Sequence, residues 1–142
     1  MLGTTFYLSH PWKSRAYVRK WELNIEKQTG ITLLNPFYDE PRREVDEIDN
    51  GTREEYDLDP YMIVQRDIAA IRRCEGVVAI IDGGTSYGTI MEIVYAFSMG
   101  KPVYLICTNG QEKHPWLRYH CLTIFTSFKE FEDVNTQEKS NN

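Results

Sequence analysis

Apolar and polar positions along the chain alternate between two periods. Residues 4–9, TTFYLS, make a short β-rich run. The next segment, SRAYVRKWELNIEKQTG, places Val18, Trp21 and Ile25 at helical spacing and stops at Gly30. ITLLNP (31–36) reads as a second strand, and residues 37–58 as a long polar loop over one end of a sheet. A loop of that length inside a compact domain is usually functional. Asp59 and Pro60 open a helix as N-cap and first helical residue. GVVAIID (76–82) and KPVYLIC (101–107) are nearly continuous apolar strands. Between them lies a glycine turn and a helix over 89–99, closed by Gly100. CLTIF (121–125) is a fifth strand, and SFKEFEDV a closing helix with Ser127 and Glu130 spaced as a capping box.

Strands apolar on both faces, alternating with helices, imply a parallel sheet covered on both sides. The expected fold is a single-domain α/β three-layer sandwich of the flavodoxin/Rossmann-like kind. Its sheet has five parallel strands in the order 2-1-3-4-5. The domain is expected over residues 1–134, with 135–142 as a disordered tail. In such sheets a ligand binds where the strands end, near the point at which strand order reverses. That places three stretches together: SHPW after the first strand, NPFYDEPRR after the second and DGGTSYGT after the third.

Composition narrows the classes. The 142 residues are 42% hydrophobic and 26% charged, ordinary for a globular protein. A net charge of −5 argues against a nucleic acid as partner. No apolar run reaches the length of a membrane span, and the start MLGTTFYLSH lacks a basic, signal-like region. Cys74, Cys107 and Cys121 are odd in number and form no CxxC pair, so they read as reduced core thiols of a cytoplasmic protein.

Three familiar motifs nearly fit and fail. In GGTSYGT, Gly83 and Gly88 have phosphate-loop spacing, but Thr89 stands where that loop needs lysine. The adjacent Gly83 and Gly84 break the dinucleotide pattern. Asp46, Asn50, Gly51 and Asp57 have calcium-loop spacing, but Ile48 occupies a ligand position and an aspartate replaces the final glutamate. His10, His114 and His120 have no metal-ligand spacing, so neither metal nor cofactor is expected.

The glycine turn is what remains. Gly83, Gly84 and Gly88 let backbone approach a ligand and expose N–H groups at a helix start, with Ser86 and Thr89 as hydroxyl donors. Such a turn suits a phosphate or a sugar hydroxyl. Glu92, expected in the first turn of the helix, would be kept ionised by the helix dipole. For an arbitrary helix, dipole complementation alone would explain that glutamate. Here it is flanked by Met91 and Ile93 on an apolar helix, so it must face the cleft or be paired.

From Asp82 to Val103 the pattern D-x-x-x-S-x-G-T-x-x-E-I-x-Y-A-x-x-x-G-K-P-V resembles the nucleoside 2-deoxyribosyltransferase superfamily. FYLSHPW is similar to that family's first strand, and IVQRDIAAIRRCEGVVAII to its aspartate-bearing helix and following strand. The resemblance implies cleavage of the N-glycosidic bond of a (deoxy)nucleoside or its 5′-monophosphate. Glu92 would attack C1′ and form a glycosyl ester, which passes the sugar to another base or to water. It further implies that Tyr7 orients Glu92, that Asp67 handles the proton of the leaving base, and that Trp12 stacks on the base. His10 and Asp82 join the turn as substrate contacts. On their own, Asp67 would read as an exposed helix residue beside an arginine, and Tyr7 and Trp12 as packing.

One departure bears on the substrate. Many transferases of the family carry an aspartate six residues before the glutamate, where this chain has Ser86. Serine there is similar to the deoxynucleoside 5′-monophosphate N-glycosidases of the superfamily, in which it binds phosphate; a carboxylate would repel that group. The turn is also similar to the GGxGT loop of cytokinin-activating phosphoribohydrolases. Lys13, Arg15, Arg42 and Arg43 fall on loops at the same sheet end. The family implies a homo-oligomer, a dimer or larger, whose neighbouring subunit completes the pocket from the region after strand four. Here that region is NGQEKHPWLRYH, with His114, Trp116 and Arg118 in place of the family's asparagine-containing apolar segment. A non-catalytic nucleotide-binding module and a flavin-binding module are the other readings. The first leaves Glu92 without a purpose, and the second lacks a hydroxyl-rich loop after strand one.

Overall fold

The computed structural model describes residues 4–39, 59–84 and 86–141. The expected polar loop therefore lies, from 40 to 58, outside the described residues, and with it Arg42, Arg43 and the calcium-like spacing. Five strands, β1 (Thr5–Ser9), β2 (Thr32–Leu34), β3 (Gly76–Ile81), β4 (Val103–Cys107) and β5 (Thr123–Phe125), pair in parallel in the order β2-β1-β3-β4-β5. This is the α/β sheet and the order expected. The helices are α1 (Arg15–Thr29), α2 (Pro60–Arg73), α3 (Tyr87–Ser98), α4 (Pro115–His120) and α5 (Phe128–Asn141).

The two-residue period of the strands builds a core on each face. Val77, Ala79 and Ile81 of β3 join Val103 and Leu105 of β4 in one cluster, closed by Ile71 of α2 and by Ile93 and Ala96 of α3. Val78 and Ile80 point the other way, with Phe6, Leu8 and Ile106, onto Val18, Trp21 and Ile25 of α1 and Phe131 of α5. All six residues of β3 are buried, which is why that strand reads as unbroken apolar sequence.

Several stops and starts follow local chemistry. Gly30 closes α1 with φ 77°, its N–H bonded to Glu26 O, a conformation that a Cβ disfavours. Asp59 caps α2 by accepting the Tyr61 N–H at 3.0 Å. Gly76 is required by packing: a Cβ there would lie 2.6 Å from Pro102 O and 3.0 Å from the Phe6 ring.

The structure departs from expectation at three places. The helix expected over 89–99 begins at Tyr87, because Ser86 is its N-cap. The segment 109–120, read as loop, contains α4, started by His114 as N-cap and Pro115. The closing helix continues through 135–141, and Asn135 is buried with its Nδ2 donating to Phe131 O at 2.7 Å. The polar composition of 135–142 concealed that extension. The capping box is half formed: the Ser127 hydroxyl accepts the Glu130 N–H, while the Glu130 carboxylate takes the Thr126 N–H and hydroxyl. Among the described residues no helix is long and apolar enough to cross a membrane.

Candidate active site

β1 and β3 are neighbours at the centre of the sheet, and the chain leaves their carboxyl ends in different directions. A cleft of about 930 Å³ opens there. It is walled by the turn after β1, the glycine turn after β3, α2 and the start of α3. Glu92, Asp67, Trp12, His10, Asp82, Gly83, Gly84, Ser86, Gly88 and Thr89 all line it. Tyr7 does not; it is fully buried beneath the cleft and reaches Glu92 from below.

Glu92 is half-buried and held from β1 through both carboxylate oxygens. The Tyr7 hydroxyl donates to Oε2, and the Ser9 hydroxyl donates to Oε1 at 2.6 Å. Tyr7 and Ser9 sit two residues apart on one strand, so their side chains leave on the same face. Ser9 was not singled out in the sequence. Its signal was that two-residue step from Tyr7, which only gains meaning once Glu92 is known to lie above that face. The expectation for Glu92 itself needs correction. With α3 starting at Tyr87, Glu92 lies in the second turn and the first turn carries no acid. The dipole effect fades within one turn, so hydroxyl donors, not the helix end, hold this carboxylate in place.

The glycine turn has an informative geometry. None of Gly83, Gly84 and Gly88 has a positive φ, and a Cβ at any of them would meet nothing within 4 Å. Neither backbone conformation nor internal packing calls for glycine at these positions. All three line the cleft. Ser86 is engaged in the fold: its oxygen accepts the Thr89 N–H at 3.4 Å and its hydroxyl donates to Thr89 Oγ1 at 2.8 Å. Thr89 is buried by that pairing.

Around the rim, Asp82 accepts a hydrogen bond from the Ser14 hydroxyl at 3.2 Å. Trp12 meets Phe37 edge to face at 5.1 Å, and the Arg15 guanidinium lies 4.0 Å over its ring. Lys13 is exposed at the cleft wall. Asp67 is half-buried on α2, one turn from Ile63. His10 turns inward. Asn35 donates its Nδ2–H to Glu22 Oε1 at 2.7 Å and its Oδ1 accepts the Phe37 N–H, so His10 Nε2–H donates to that Oδ1 at 3.1 Å. His10 Nδ1 lies 3.1 Å from Pro11 O. His10 thus lines the cleft with Nε2 turned to Asn35. Burial lowers the pKa of His10, against the pull of Asn35, Pro11 and Asp82.

His114, Trp116 and Arg118 do not reach this cleft. His114 caps α4, and Trp116, 70% exposed, stacks on His120 with centroids 5.7 Å apart. The thiols are free; burial pushes Cys121 up to about 12. Among the described residues no cluster of three or more His, Cys, Asp or Glu could hold a metal ion.

The fold thus sets a carboxylate, held by two strand hydroxyls, in a cleft walled by a glycine turn. The sequence profile of the nucleoside 2-deoxyribosyltransferases matches residues 6–137. The chain belongs to that family. Three solved structures share the fold. One is a 2-deoxyribosyltransferase from Bacillus psychrosaccharolyticus, with 20% identity, coverage of 91% of this chain and 90% of that one, and a TM-score of 0.67. The CMP N-glycosidase of Clostridium botulinum is 18% identical, with 92% and 95% covered and a TM-score of 0.59. A 2-deoxyribosyltransferase from Leishmania mexicana is 17% identical, with 94% and 97% covered and a TM-score of 0.60. No curated protein matches the chain.

Proposed function

We propose that this protein cleaves the N-glycosidic bond of a (deoxy)nucleoside or its 5′-monophosphate through an ester between C1′ and Glu92, and passes the sugar to another base or to water. The observation that carries this is Glu92, oriented by Tyr7 at the floor of a cleft whose wall is the glycine turn. In the first half, a Glu92 oxygen forms a bond to C1′ as the C1′–N bond breaks and the base leaves with a proton. Asp67, which also lines the cleft, supplies or relays that proton. In the second half, water or a second base attacks C1′ and Glu92 departs as carboxylate. Trp12, which lines the cleft, stacks on the base.

A second reading is a strict 5′-monophosphate N-glycosidase, with water as acceptor. It is favoured by Ser86 at the N-cap, where it starts a helix end free of carboxylate, and by the empty space beside Gly83 and Gly84. Lys13 adds a cation at that wall.

We also propose a homo-oligomer. Tyr87, Met91, Val94 and Tyr95 form a second, exposed apolar stripe on α3. A patch of that kind marks an interaction surface, and a second subunit there would close the cleft, since Tyr87, Met91 and Tyr95 line it.

The test is to incubate the protein with CMP, dCMP, cytidine or deoxycytidine, with and without adenine. Free base without exchange identifies the hydrolase, and an adenine glycoside the transferase. Glu92→Ala should abolish both; full activity in that variant refutes the reading. Binding without any base release by the native protein would point instead to a non-catalytic sensing module.

A further inference from the structure

Ser9 is fully buried on β1, and its hydroxyl spends its proton on Glu92 Oε1 at 2.6 Å, the length of a hydrogen bond to a charged oxygen. The Tyr7 hydroxyl already orients the other oxygen. Orientation alone needs one such donor; two have a consequence for the energy of the carboxylate. We propose, on the basis of the glycosyl-ester reading above, that Ser9 is a positioning residue that sets the lifetime of the ester, hastening its breakdown at the expense of its formation.

The physical reason lies in where charge resides. Before attack Glu92 is a carboxylate. In the ester it is neutral, one oxygen bonded to C1′ and the other a carbonyl. When water attacks C1′, the C1′–O electron pair returns to Glu92, and the proton of the attacking water is taken up by Asp67. A hydroxyl bonds a carboxylate about twice as strongly as it bonds a neutral carbonyl. Ser9 therefore lowers both ends of the reaction relative to the ester between them. Ser9 itself is fully buried, so the donor it supplies comes from within the fold. The difference between a charged and a neutral hydrogen bond corresponds to roughly tenfold in the ester's stability.

The experiment is rapid-quench measurement of free cytosine from CMP and from dCMP, with intact-protein mass spectrometry to weigh the sugar-phosphate adduct. The native enzyme should show little burst and little adduct. Ser9→Ala should show a burst approaching one equivalent of base. Its adduct should rise roughly tenfold and its steady-state turnover fall by a similar factor, while the first turnover is no slower than native. Ser9→Cys keeps the shape with a weaker donor and should fall between, which covers the case in which the alanine variant does not fold. If both variants slow the burst and lower the adduct together, or partition like the native enzyme, Ser9 has no such role although Glu92 chemistry stands. If the native protein releases no base, or Glu92→Ala keeps full activity, the reaction itself is not the one proposed and the role of Ser9 goes with it.

Discussion

Glu22 offers a quantitative test of the architecture behind the cleft. Its side chain on α1 is completely buried. Oε1 accepts Arg19 Nη1–H at 3.0 Å and Asn35 Nδ2–H at 2.7 Å, while Oε2 is buried without a hydrogen-bond partner among the described residues. Burial outweighs those donors and pushes the carboxyl up from 4.5 to about 7. Between those two values the folded state binds more protons than the unfolded chain, so this group's contribution is fully present below about pH 4.5. It is then lost as pH rises to 7. The gap amounts to about 3 kcal/mol across the window. His10 works in the opposite direction, because burial lowers its pKa and the unfolded chain takes up its proton first as pH falls. Subtracting a Glu22→Gln variant isolates the glutamate. The glutamine carbonyl can keep both donors, and its amide falls where Oε2 has no partner, a cost that does not vary with pH. Urea unfolding followed by tryptophan fluorescence at pH 5, 6, 7 and 8 should show native stability falling relative to the variant by about 3 kcal/mol over that range. Parallel curves would refute the argument, and would mean that Glu22 titrates as it does in the unfolded chain.

Further outcomes follow from the same geometry. Tyr7→Phe removes a hydrogen bond to a charged oxygen and should lower base release from CMP or dCMP by about 10- to 100-fold with the fold intact; native rates would reduce Tyr7 to packing. Gly76→Ala should cost about 1–3 kcal/mol in urea unfolding, because its Cβ meets Pro102 O at 2.6 Å. Gly83→Ala should leave stability unchanged, since its Cβ meets nothing within 4 Å, but should raise KM for CMP. An unchanged KM would put the ligand elsewhere. The Cys121 thiol, held up to about 12 by burial and by Cys107, should react with iodoacetamide at pH 8 roughly a thousandfold more slowly than in the unfolded chain; equal rates would show that it is not protected.

What the sequence determined by itself is whatever depends on neighbours along the chain. Apolar runs with no polar face, such as 76–81, announce a doubly covered parallel sheet, and the β–α alternation limits its order. Asp59–Pro60, Gly30 and Gly100 announce where helices start and stop through backbone chemistry that needs no partner. The spacing of Ser86, Gly88, Thr89 and Glu92 announces the helix that carries the candidate carboxylate. The tertiary structure decided what depends on distance across the sheet. Ser9 and Glu92 are 83 positions apart, and nothing local marks that serine as a partner of the carboxylate. His10 read as a ligand contact from its place after β1, and its hydrogen bond to Asn35 exists because β1 and β2 end side by side. The start of α3 at Tyr87 moved Glu92 beyond the reach of the helix end, and so moved the reason for its position from the dipole to two hydroxyls. Secondary structure is written in short-range patterns. A charged group's surroundings are set by whichever strands and helices the fold brings to it, and they become legible only when the chain has closed.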